Sequence, residues 1–261
     1  MNKVLFQKDK IDATFKHPFT MVLAGPSGSG KSTWVSELMT RYQDFIDEKY
    51  DYVYIMIGTL ASENYLFSNL VTYLKNNGIP RSELWEINEM FKTDKELSED
   101  FPAKFKVLIE EHKRKKQKGC IIIDDLMKEM SQNDILMDLF TKKSSHNNLS
   151  VIYITQNLFF QGKKKNNSTT IFRNIKYLVL FYSKVDKSTL KFVVQRISVG
   201  TGNRKLYRIL DYIMKKNRYV VLNLDLKTTD KILITTNTFE KVKLFPKHKK
   251  LSCIKVITPN F

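Results

Sequence analysis

Short apolar runs alternate with stretches in which apolar residues recur every three or four positions, and the alternation continues along most of the chain. Residues 19–24 (FTMVLA) are almost wholly apolar and run into a glycine-rich turn, as expected of a strand buried on both faces. After the turn, Val35, Leu38, Met39 and Tyr42 fall on one helical face. Residues 52–57 form a second strand rich in β-formers. Leu66, Leu70 and Leu74 mark a helix that stops near Asn77 and Gly78. A short strand is predicted at 84–87, and Phe105, Leu108, Ile109 and His112 mark the next helix, which runs into a basic stretch at 113–118. Residues 119–124, 151–155 and 177–182 supply three further strands. Ser131 with Asp134 forms a variant capping box before Ile135, Leu136, Leu139 and Phe140. The remainder reads as helices around 190–196 and 205–214 and strands at 219–224 and 231–235.

This order predicts an α/β fold with a mainly parallel central sheet flanked by helices. No segment has the composition of a linker. The expected organisation is therefore one domain over 1–240, C-terminal strands included, followed by a small basic extension at 241–261.

Chemistry enters at the first strand's exit. Gly25, Pro26, Ser27, Gly28, Ser29, Gly30, Lys31 and Ser32, with Thr33 behind them, match G-x-x-x-x-G-K-[ST] between a strand and a helix, the context this pattern requires. Glycines let backbone N–H groups turn inward around phosphates, and the helix N-terminus adds a favourable dipole. Lys31 is expected to reach the β- and γ-phosphates of ATP, and the Ser32 hydroxyl to ligate Mg2+. A strand that ends in acids, IIIDD at 121–125, delivers carboxylates to the same sheet edge. Asp124 is the expected magnesium carboxylate and Asp125 the general base that polarises the attacking water. A third strand ends in Thr155, Gln156 and Asn157; Gln156 is read as the amide that orients water against the γ-phosphate, with Asn157 in reserve. The chain is thus expected to be a P-loop NTPase that hydrolyses ATP.

Composition narrows the picture further. The chain has 261 residues, 42% hydrophobic and 27% charged, as in ordinary globular proteins. Cys120 and Cys253 make no disulfide framework, and neither they nor His17, His112, His146 and His248 show metal-ligand spacing. No window carries the roughly 18 apolar residues of a membrane span, and residues 1–20 do not read as a secretory signal. A soluble, intracellular protein is expected. Lys and Arg total 44 against 27 acids, a net charge of +17 with pI near 9.6. A nucleotide substrate does not call for that excess, whereas a nucleic acid does, through counterion release. The competing reading is lysine-rich genome composition, since only eight of the 44 are arginine. Lys163, Lys164 and Lys165, beside Phe159 and Phe160, are the candidate DNA contacts, although the two aromatics also read as core residues.

Three segments together go beyond the generic pattern: FTMVLAGPSGSGKS at 19–32, IIIDDL at 121–126 and HNNLSVIYITQNLFFQG at 146–162. They resemble the viral genome-packaging ATPases of the FtsK–HerA superfamily, close to the poxvirus type, with the forms in Polinton/Maverick elements, adintoviruses and virophages nearest. YLVLF at 177–181 and YVVLNLDL at 219–226 extend the likeness, so that it covers about 15–240. The segment TQNLFFQG is the specific part. This resemblance implies an additional-strand ATPase, with a strand inserted between the phosphate-loop strand and the acid strand. It implies a homo-oligomeric ring, a pentamer or hexamer, that threads double-stranded DNA into a preformed capsid at the host cell's virus-assembly site, with a capsid protein or portal as partner and no membrane. Lys31, Ser32, Asp124, Asp125 and Gln156 fall on the family's matching positions.

Two departures leave the trans-acting arginine finger unassigned. Relatives usually carry an arginine shortly after the Gln-Gly element, where this chain has Ser168, Thr169 and Thr170, and another after the strand at 177–182, where Val185 stands. Arg173, Arg196, Arg204 and Arg208 are the candidates. Competing readings are a helicase, a filamentous-phage-type morphogenesis ATPase, a P-loop nucleoside or nucleotide kinase, and a switch that binds nucleotide but barely hydrolyses it. A kinase needs an acceptor site and an arginine-rich lid, whereas here two acids and a glutamine accompany the phosphate loop.

Overall fold

The computed structural model describes residues 14–58, 61–87, 95–124, 126, 138–143, 147–159, 167–197, 202–225, 232–235, 242–244 and 254–259. Its strands, in chain order, are β1 (Thr20–Ala24), β2 (Tyr52–Ile57), β3 (Arg81–Glu86), β4 (Gly119–Asp124), β5 (Leu149–Thr155), β6 (Tyr177–Phe181), β7 (Tyr219–Asn223), β8 (Ile232–Thr235), β9 (Val242–Leu244) and β10 (Ile254–Pro259). They form one sheet in the order β3-β2-β4-β5-β1-β6-β7-β8-β10-β9. From β3 to β6 every neighbour is parallel; β7 then runs antiparallel to both β6 and β8. The helices are α1 (Lys31–Thr40), α2 (Tyr42–Phe45), α3 (Ala61–Asn76), α4 (Lys95–Arg114), α5 (Asn167–Arg173), α6 (Ser188–Ile197) and α7 (Gly202–Asn217), with a π-helical turn at Leu139–Lys143.

Helices cover both faces, which is why the central strands read as unbroken apolar runs instead of alternating ones. Met21, Leu23, Ile122, Ile152 and Val179 pack on one side with Trp34, Val35 and Leu38 of α1 and Phe67, Leu70 and Leu74 of α3. Val22, Ile121, Ile123, Val151 and Leu178 pack on the other with Phe105 and Ile109 of α4, Leu190 and Val193 of α6 and Leu206 and Leu210 of α7. Adjacent residues of each strand thus serve opposite cores, as the two-residue pleat dictates.

Several boundaries differ from the sequence reading. The strand expected at 84–87 starts at Arg81, because β3 is an edge strand whose partly exposed RSELWE sequence has no apolar run. The helix read from Phe105 starts ten residues earlier, at Lys95; Leu97 and Phe101 continue the same spacing upstream, but Pro102 stands between them and Phe105 and reads as a helix breaker. Ser131 and Asp134 lie outside the described residues. The segment read as a basic tail carries β9 and β10, and β10 pairs parallel with β8.

Two histidines, His112 buried and His17 half-buried, lie away from the strands' carboxyl edge. The His17 ring lies with Nδ1 2.7 Å from the Ser150 hydroxyl, and burial lowers its pKa to about 4 despite the nearby carboxylates of Glu48 and Asp47. His112 stacks on Tyr52 at 3.8 Å, with Nε2 2.8 Å from the Tyr54 hydroxyl and Nδ1 2.7 Å from Gln117 Oε1. Burial lowers its pKa as well. A histidine whose folded pKa lies below its unfolded value of about 6.5 takes up its proton more readily in the unfolded chain. Its contribution is therefore complete above pH ~6.5 and is lost as pH falls toward the folded pKa. Urea unfolding is expected to show a lower midpoint at pH ~5 than at pH ~7, with His17 alone accounting for about 2 kcal/mol or less given its partial exposure. Equal midpoints would mean that neither ring resists protonation.

Candidate active site

Parallel pairing brings the carboxyl ends of three strands side by side. Ala24 of β1 is in register with Thr155 of β5, and Asp124 of β4 with Ile154 of β5. The strand that carries the glutamine therefore lies between the phosphate-loop strand and the acid strand, as expected for an additional-strand ATPase.

The loop from β1 into α1 needs its glycines for two different reasons. At Gly25, whose N–H donates to the Thr155 carbonyl at 3.3 Å, a Cβ would sit 2.6 Å from the Cβ of Phe181 on β6. Gly28 and Gly30 have φ of 69° and 92°, in the left-handed region where a side chain is strained. Gly30 caps α1, and the first N–H groups of that helix have no carbonyl behind them, which makes this end a site for anions.

Lys31 is buried, and its ammonium donates to the carbonyls of Gly25 and Pro26 at 2.9 and 2.8 Å. The Ser32 hydroxyl donates to Asp124 Oδ2 at 2.7 Å, and Asp124 is only 3% exposed. A hydroxyl and a carboxylate oxygen in contact at the end of a phosphate loop suit magnesium, a hard cation that takes one or two protein oxygens and draws its other ligands from water and phosphate. Gln156 is the first residue beyond β5. Thr155 holds the turn there, with its hydroxyl accepting the Asn157 N–H and donating to the Asn157 carbonyl, both at 3.2 Å. The carboxamide oxygen of Asn157 is taken by the Phe159 N–H at 3.0 Å, so Gln156 is the amide presented to the site.

These groups line one cavity of about 280 Å³: Ser27, Gly28, Gly30, Lys31, Ser32 and Thr33 from the loop and helix, Asp124 from β4, Thr155 and Gln156 from β5, and Leu66 from α3. In the sequence Leu66 reads only as a helix-face residue; nothing in its type or spacing marks it as a wall of the site. Gln156, Gly25 and Pro26 also border a smaller cavity of about 90 Å³ next to Phe181 and Tyr182. The arrangement can grip a nucleotide's phosphates and hold a divalent cation beside them. Asp125 lies outside the described residues, as do Phe160, Lys163, Lys164 and Lys165.

Phe159 packs against the core, its ring 5.7 Å from those of Phe172 and Phe192. The Arg196 guanidinium sits 5.3 and 5.4 Å from the rings of Phe159 and Phe172, which employs that finger candidate within its own subunit. Arg173 is exposed at the end of α5, and Arg204 and Arg208 line a groove between α6 and α7.

Residues 3–243 match the family model described as Poxvirus A32 protein. The chain belongs to that family. No curated protein sequence matches it. Among solved structures, the A32-family chain is similar to B204, the DNA-packaging ATPase from Sulfolobus turreted icosahedral virus, with TM-score 0.53 and 15% identity over 90% of this chain and 100% of that one. At that identity the likeness establishes the fold alone. Two others have TM-scores below 0.5 and carry no argument. One is the genome-packaging NTPase B204 of Sulfolobus turreted icosahedral virus 2 in complex with ATP-gammaS, at 0.46 and 14% identity over 83% and 96% of the two chains. The other is EscN, from the type III secretion system of enteropathogenic E. coli, at 0.42 and 9% identity over 76% and 54%. Among the described residues, no helix is long and apolar enough to cross a membrane.

Proposed function

We propose that this A32-family chain is an ATP-hydrolysing motor that translocates double-stranded viral DNA into a capsid during assembly in the host cell. The observation that carries the reading is the convergence of Lys31, Ser32, Asp124 and Gln156 on one cavity, with the glutamine strand lying between the other two. B204, similar in fold, is itself a DNA-packaging ATPase.

In this reading Lys31 and the amides of the loop hold the β- and γ-phosphates. Ser32 and Asp124 hold Mg2+, which when bound neutralises charge that develops on the transferred phosphoryl group. Asp125 takes the proton of the attacking water, and Gln156 aligns that water with the γ-phosphate. The acids beside the loop favour water as acceptor over a nucleoside. The working form is a homo-oligomeric ring, pentameric or hexameric, with an arginine supplied by the neighbouring subunit and a capsid protein or portal as its docking partner.

Purified protein is expected to hydrolyse ATP slowly, and faster once it self-associates and binds double-stranded DNA. Steady-state phosphate release with and without duplex, alongside a mass measurement of the assembled species, checks this. Transfer of phosphate to a nucleoside, with no response to DNA, would overturn the reading.

A further inference from the structure

Residues 184–218, which hold α6 and α7, contain ten Lys and Arg against two acids, a net +8 of the chain's +17. Both acids are already engaged. Asp186 caps α6, accepting from the Ser188 N–H at 2.9 Å and the Thr189 hydroxyl at 2.6 Å. Asp211 is paired with Lys215 at 2.7 Å on its own helix. With both acids ionised, eight positive charges of this segment still have no carboxylate of its own to balance them.

It is also organised. Between α6 and α7 runs a groove of about 580 Å³ walled by Lys187, the residue just ahead of α6, and Lys191 of α6, and by Arg204 and Arg208 of α7, with Val194 and Tyr207 between them and no carboxylate in its lining. Each cationic pair is spaced four residues apart, about 6 Å along its helix, so the groove presents two rows of charge and not a single point. Among the described residues none of the four makes an ion pair. Four uncompensated cations so close together repel one another unless an anion lies among them.

We infer that the α6–α7 groove is a binding surface for the phosphodiester backbone of nucleic acid, a contact separate from the nucleotide cavity and from the lysines at 163–165. The inference rests on the DNA-motor reading above and gives it a location. A lone phosphate or nucleotide would occupy one end of such a groove. An extended polyanion matches both rows, and Lys205 and Lys216 of α7 are exposed as well. Tyr207, which lines the groove, adds an aromatic surface of the kind that accompanies backbone contacts to nucleic acid. An acidic protein segment is the other polyanion that fits such charge, and the test separates the two.

The experiment measures anisotropy of a fluorescent duplex of about 30 base pairs, without nucleotide, across a salt series. Two triple variants are compared with the native chain: Lys191→Glu with Arg204→Glu and Arg208→Glu, and the same three positions changed to Gln. The Glu variant is expected to bind at least about tenfold more weakly. The Gln variant is expected to flatten the slope of log K against log salt by about 2–3, near 0.9 for each phosphate that is no longer neutralised. All three positions are exposed, so both variants should melt with the native protein. Unchanged affinity and slope in either folded variant overturn the inference while leaving the motor reading in place. Polyglutamate that displaces the duplex at equal charge, with the same three residues required, also overturns it in favour of an acidic protein partner. A native chain that binds no duplex at all defeats the motor reading and this one together.

Discussion

Lys31→Ala is expected to weaken ATP binding by about 10²- to 10⁴-fold and to abolish turnover. The buried ammonium already spans the carbonyls of Gly25 and Pro26, so it is held over the mouth of the phosphate loop before any nucleotide arrives. Hydrogen bonds to a charged group contribute about 1.5–3 kcal/mol each, and two of them to phosphate oxygens give the stated range at about 1.4 kcal/mol per decade. Removing the side chain also takes the ammonium from the Gly25 carbonyl and leaves the Pro26 carbonyl with the Ser29 N–H alone, at 3.3 Å, which loosens the turn that Gly28 and Gly30 permit. Lys31→Arg should not rescue the loss, because a planar guanidinium cannot take the place of a compact ammonium in a site this enclosed. Equilibrium titration with a fluorescent ATP analogue reads the affinity, and a melting curve establishes that the variants are folded. Native affinity in folded Lys31→Ala would remove the phosphate-gripping role.

Asp125→Asn should separate binding from chemistry. The residue follows directly on Asp124, whose carboxylate is already occupied by the Ser32 hydroxyl at the cavity's edge. Asp125 is the acid assigned above to accept a proton from water. Asparagine keeps the volume and polarity of aspartate but has no basic carboxylate. A positioned general base contributes typically about 10²–10⁴ in rate, so kcat is expected to fall by that factor while ATP affinity stays near the native value. Single-turnover phosphate release together with equilibrium binding distinguishes the two quantities. Turnover equal to the native enzyme would take the general-base assignment away from Asp125.

The phosphate loop, the acid strand and the glutamine strand are legible because each is encoded locally: a buried strand reads as an apolar run, and the residue just past its end is displayed at the sheet's carboxyl edge. Ser32 and Asp124 are 92 positions apart in sequence, yet both can be picked out, since each carries its own signature within a few residues. What cannot be read is non-local or half-exposed. Arg81 and Ser82 of β3 belong to an edge strand with no apolar run to announce it. The first half of α4 carries the spacing in Leu97 and Phe101, but Pro102 reads as a break ahead of Phe105. The stacking of Arg196 on Phe159 and Phe172 needs three elements brought together by the fold, as does the juxtaposition of Lys191 and Arg208 on one groove. Sequence supplies the charges of that groove but not their common face.

Gln156 and Phe159 are separated by only two residues, and the Phe159 ring is clasped by Phe172 and Phe192 under the Arg196 guanidinium. The amide assigned to the γ-phosphate and the outer helix α6 are thus the two ends of one short tether. Linkage between such ends works equally in both directions: whatever factor nucleotide imposes on the affinity of a ligand at α6, that ligand imposes on nucleotide. In the motor proposed above, DNA held at α6 and ATP at the phosphate loop would each change the other's affinity by that one factor, with no separate messenger between them.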